Sequence, residues 1–165
     1  YFAKAIDYKG GEFGVGILTK DEPISVDRYQ MPGKSEMRAA MVVEYEKFVV
    51  ASTNFDTDMA KRIEALQTLH TKLSAYNKPA FLAGYFNEGN LESDFFKKVK
   101  EDWNLLSADK STENGGKQRR LDFIVSLKDY DVTVTQADVM EYLTGADVAT
   151  ASSHYPLFCD FTGLK

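Results

Sequence analysis

The sequence predicts an α/β domain, a sandwich of mostly antiparallel sheets with outer helices. Three observations carry this: five β-prone runs precede the first helical periodicity, one apolar strand separates two amphipathic helices, and three further strands follow. A chain of 165 residues fits one domain, spanning 1–165.

Residues 2–6 and 13–18 flank Gly10-Gly11 and read as a hairpin. A third run, 24–31, follows the turn at Pro23 and closes at Pro32-Gly33. Runs 38–45 and 48–52 surround the short charged connection Glu46-Lys47, a second tight hairpin. From Asp58 the period becomes helical: Met59, Ile63, Leu66, Leu69 or His70, and Leu73 share a face, and Asp56, Thr57 and Asp58 offer N-caps. Residues 79–83 form a buried strand, and Leu91, Phe95, Phe96 and Val99 mark a second helix, with Trp103 anchoring the loop after it. A polar, Gly-bearing loop at 111–117 leads to strands at 121–127, 132–137 and 157–161.

Twenty basic and 25 acidic residues leave a net charge of -5, which disfavours sequence-independent binding to a nucleic-acid backbone. No run of about 18 apolar residues exists to span a membrane. The single cysteine, Cys159, cannot form an intrachain disulfide and reads as a buried structural thiol. The chain opens on Tyr1 inside a strand, so an N-terminal segment ahead of it is expected.

Polar side chains follow apolar strands at residues 52–56, 84–88 and 152–156, where a sheet presents its rim, and Arg119-Arg120-Leu121-Asp122 enters a strand. Bland readings stand beside the functional ones. Asn87 suits a turn, His154 a satisfied turn histidine, and Arg119 and Arg120 a solvated loop face. Tyr85 fills a pocket or offers a platform, and His70 packs or lies at the surface. Glu44, Glu46, Asp56 and Asp58 lack metal-loop spacing and read as solvated charge.

In this order, Thr53-Asn54-Phe55-Asp56, Gly84-Tyr85-Phe86-Asn87, Arg120-Leu121-Asp122-Phe123-Ile124 and Ser152-Ser153-His154-Tyr155-Pro156 resemble the endonuclease/exonuclease/phosphatase family. The chain is similar to the C-terminal two-thirds of that family's domain. The resemblance implies hydrolysis of phosphoesters with Mg²⁺ or Mn²⁺, a positioned base activating water for in-line attack. It implies catalytic roles for His154, Asp122 and Asn87, the carboxylate of Asp122 orienting the His154 ring, and substrate contacts from Asn54, Tyr85 and Arg120.

The departures matter as much. The family's histidine is Asn54, its general-base aspartate is Tyr85, and a carboxylate near its metal is Ser153. The family's N-terminal metal-binding glutamate has no counterpart. A phenol with an ordinary pKa near ~10 is a poor base at neutral pH. Weak or absent activity and a weak or absent metal are therefore expected. The alternatives are a non-catalytic module whose relic pocket binds a phosphorylated or sugar-like ligand, and an enzyme of shifted chemistry using His154 and Asp122. Absent N-terminal strands would leave sheet edges open, so either self-association through the first strands or a rearranged packing is expected.

Overall fold

The computed structural model describes residues 1–116 and 118–164. Among these, six strands pair into one mixed sheet. In chain order they are β3 (Ser25–Met31), β4 (Arg38–Glu44), β5 (Val49–Asn54), β6 (Ala80–Tyr85), β7 (Trp103–Leu105) and β8 (Asp122–Leu127), and in space β3-β4-β5-β6-β8-β7. Only β5 and β6 run parallel. A parallel pair needs a crossover, supplied by α1 (Met59–Ser74). The Asp58 carboxylate caps that helix by accepting from the Lys61 amide.

One face of the sheet is buried under α1 and α2 (Asp94–Asp102), whose cap is Ser93. Leu66, Leu69 and Leu73 of α1 and Phe95, Phe96 and Val99 of α2 close over Val49, Ala51, Leu82 and Val125. Phe55, Phe86 and Phe123 fill the space between helices and strands. The alternation of β5, with Val49, Ala51 and Thr53 buried and Val50, Ser52 and Asn54 half-buried, is the two-residue period that sets this face.

The opposite face is covered by two separate ribbons. The hairpin of β1 (Phe2–Tyr8) and β2 (Gly11–Gly16) packs Ala3 and Ala5 over Ala39, Met41 and Val43 of β4. The antiparallel pair β9 (Thr133–Val139) and β10 (Leu157–Thr162) stacks Phe161 on Phe81 of β6 at 4.3 Å. The side chains of Arg28 and Gln30 cap the outer edge of β1 by donating to the carbonyls of Phe2 and Lys4. Among the described residues, no strand pairs with the other edges of β2 and β10. The predicted α/β architecture is therefore present, but its second layer is two ribbons on one half-covered face.

Four local expectations are corrected. Trp103 is buried and begins β7, an edge strand beside β8, so it is part of the sheet and no loop anchor. Asp56 is buried against Arg38 rather than solvated, because the β5–α1 connection turns inward. Glu44 is likewise paired, accepting from Lys78 and Ser25. Cys159 is only half-buried, since its ribbon is covered on one side. A four-residue helix, α3 (Val148–Ala151), was not expected. Of the polar loop 111–117, Lys117 lies outside the described residues. No described helix is long and apolar enough to cross a membrane.

Candidate functional site

The site begins with strand register. Asn54 on β5 pairs with Tyr85 on β6, and Tyr85 pairs with Asp122 on β8. Paired residues share a face, so these three side chains form a row on the half-covered side, at strand spacings of about 4.8 Å. Close approach of β5 and β6 here requires Gly84: at φ +152°, a Cβ would come within 1.9 Å of the Thr53 carbonyl oxygen.

His154 enters from the segment before β10. Its Nδ1 lies 2.6 Å from Asp122 Oδ2, and its ring meets Tyr85 edge to face at 4.7 Å. Residues 112–114 hold the His154 segment in place: the Tyr155 amide donates to Thr112 O and the Asn114 amide to Ser153 O, each at 2.8 Å. Glu113 and His154 bridge between these bonds.

Thr112 sets the protonation geometry. Its buried hydroxyl accepts from the Leu121 and Asp122 amides at 3.0 and 3.1 Å, so its one hydrogen goes to Asp122 Oδ2, 2.6 Å away. The carboxylate then accepts from both Thr112 and His154 Nδ1–H. That assigns the tautomer and leaves Nε2 as the ring nitrogen available to a ligand. Tyr85 stays a neutral phenol: burial, then the Asp122 charge, pushes its pKa above the ordinary value, against an opposing pull from Arg119.

Asn87 sits in the left-handed region at φ +56°. Its amide donates to Phe55 O at 2.7 Å and approaches Asn54 Oδ1 at 3.5 Å, which ties the two strand-end loops together. Arg62 secures the same junction. Buried on α1, it donates to the carbonyls of Asp56, Thr57 and Asn87 at 3.2, 2.8 and 3.2 Å and to Glu88 Oε2 at 3.3 Å. Arg120 stands apart from the row. Its guanidinium lies 4.6 Å from the Phe123 ring centroid and donates to Ser107 O and Asp109. Ser153 is exposed.

Sequence reasoning missed Thr112 and Arg62. For Arg62 a signal existed, since residues 62, 66, 69 and 73 share one helical stripe and a charge on an apolar stripe marks a buried anchor. Thr112 carried none, being one hydroxyl in a polar loop.

The donor set does not suit a hard divalent cation. Of the residues that the motifs single out here, Asp122 is a carboxylate but is engaged by His154 and Thr112, and Asn54, Asn87, Tyr85 and Ser153 are neutral. Among the described residues no group of three or more His, Cys, Asp or Glu side chains is arranged to hold a metal ion.

No family model matches the sequence, and no curated protein does. Solved structures do. A functionally unknown conserved protein from Enterococcus faecalis V583 superposes with TM-score 0.68 at 15% identity, over 86% of this chain and 67% of that one. An endonuclease/exonuclease/phosphatase from Bacteroides vulgatus gives 0.66 at 17%, over 86% and 66%. The Bacteroides thetaiotaomicron mannosyl-6-phosphatase gives 0.68 at 15%, over 86% and 67%. The chain spans about two-thirds of the length of each, and it has the endonuclease/exonuclease/phosphatase fold.

Proposed function

We propose that the chain is a degenerate relative of the metal-dependent phosphoesterases, which recognises a phosphorylated small molecule at Asn54, Tyr85 and His154 and hydrolyses it weakly or not at all. One observation carries this: Tyr85, a neutral phenol, stands in register between Asn54 and Asp122 where in-line hydrolysis needs a base. A phenol donates a hydrogen bond to a phosphate oxygen but does not deprotonate water near neutrality. The Asn54 amide is a further donor of the same kind.

A general base contributes about 10²- to 10⁴-fold, and metal charge stabilisation several kcal/mol more. With neither supplied by the row, recognition without efficient turnover is the chemistry that remains. The net charge of -5 favours a small ligand over a nucleic-acid backbone. The similarity to a mannosyl-6-phosphatase makes a sugar phosphate a suitable first choice.

A second reading has one observation in its favour. The Asp122–His154 pair is close, at 2.6 Å through Nδ1, as an acid/base pair of shifted chemistry requires. Turnover of a generic phosphodiester and of several phosphomonoesters, with Mg²⁺ or Mn²⁺, separates the two. Robust metal-dependent hydrolysis that disappears in His154→Ala contradicts the weak-turnover proposal, and binding without turnover supports it.

A further inference from the structure

We propose that Arg119 is a further anion-binding residue of this site and that Glu113 occupies it as an internal competitor, which a phosphorylated ligand displaces. The inference rests on the phosphate-recognising function proposed above. Arg119 Nε and Nη2 each lie 2.6 Å from one oxygen of the Glu113 carboxylate, a bidentate fork. A phosphoryl group offers the same two-oxygen edge to a guanidinium with more negative charge, so carboxylate and phosphate are alternatives for one fork.

The position of the pair is what connects it to the site. Glu113 bridges His154 through the main chain, and its own amide donates to Arg119 O at 3.1 Å, so both residues belong to the segment that holds His154. The Tyr85 phenol feels both charges, Arg119 favouring its ionisation and Glu113 opposing it. The Glu113–His154 bridge, the Arg119–Glu113 fork and the Tyr85–His154 ring contact place these four residues on one rim.

Exposure makes the exchange feasible. The Arg119 side chain is 57% exposed while that of Glu113 is 10% exposed, so the cation faces solvent and the carboxylate lies on its inner side. An incoming dianion can therefore reach the guanidinium from the solvent side and compete with the carboxylate for the fork.

The test is calorimetric titration of the intact chain with inorganic phosphate, comparing the wild type, Glu113→Gln, Arg119→Ala, the double variant and His154→Ala. Removing the competitor is expected to tighten phosphate binding about fivefold or more. Arg119→Ala is expected to weaken it and to cancel that gain in the double variant. Unchanged or weaker binding in a folded Glu113→Gln, while His154→Ala still abolishes binding, overturns the competitor and leaves phosphate recognition standing. Should Glu113→Gln fail to fold, Arg119→Ala decides: no loss of affinity overturns the proposal. No phosphate binding by either the wild type or Glu113→Gln removes the proposed function and this inference together.

Discussion

The two faces of the six-stranded sheet are built on different terms. Under α1 and α2 lies the larger buried cluster, in which Phe55, Phe86, Phe95, Phe96 and Phe123 interlock, with ring centroids as close as 4.7 Å. On the other side, two ribbons leave Val50, Ser52, Asn54, Ala83, Tyr85 and Ile124 half-buried. Stability is concentrated on the first face and chemistry on the second. Consecutive residues show the division: Phe86 is fully buried in the aromatic cluster, whereas Tyr85 faces His154. Such an arrangement lets side chains of the row change without costing the fold.

Truncation on the helix face is the harshest way to test that division. Phe86→Ala is expected to destabilise by about 3–5 kcal/mol, through lost transfer energy and the cavity left among rigid rings. Urea denaturation monitored by circular dichroism gives the value. A loss below about 1 kcal/mol would show that the cluster is not the main source of stability.

Thr112→Val sharpens the comparison, because Thr112 is a buried hydroxyl that serves the site. The substitution leaves two main-chain amides without their acceptor and removes one of the two donors to Asp122, and is expected to cost about 1–3 kcal/mol. It should also loosen the His154 ring, visible as broadening of its imidazole proton resonances.

A smaller effect appears in acid. Burial pushes the Asp56 carboxyl up, but the Asp58 amide and the Arg38 guanidinium outweigh it and hold the carboxyl below its ordinary value. Its folded pKa is depressed, so its contribution is present above the unfolded value and is lost as pH falls through the folded one. Urea midpoints should therefore drop below about pH 4, and Asp56→Asn should flatten that drop. An unchanged acid profile in the variant would assign the loss to other carboxylates.

Smallest of all should be Tyr85→Phe, which removes one hydroxyl from the half-covered face and is expected to change stability by less than about 0.5 kcal/mol. Phosphate affinity should fall nonetheless, since a donor is gone. A stability loss comparable to that of Phe86→Ala would mean that Tyr85 belongs to the core.

What the sequence disclosed follows the same boundary. Strand and helix periodicities were legible because they report burial on a sheet face or helix stripe, as in β5 and in Leu66, Leu69 and Leu73. The pairing of Asp122 with His154 was legible through motif order alone. Other features depend on contacts between distant segments. Thr112 gains meaning only where its loop meets residues 121–122, and Arg62, marked by its helical stripe as an anchor, finds its partners only where α1 meets the Asn87 turn. Arg120, whose bland reading was a solvated loop face, packs on Phe123, and Asp56, read as solvated, is sealed by Arg38. Charged residues in these places looked like surface because local sequence does not show what folds over them.

The most direct test pairs two measurements on one variant. For His154→Ala, thermal unfolding and phosphate affinity should separate: a melting temperature within about 2 °C of the wild type, and phosphate binding lost. A variant that melts far earlier while still binding phosphate as the wild type does would contradict the account, making His154 a structural residue and moving ligand recognition away from the row of Asn54, Tyr85 and Asp122.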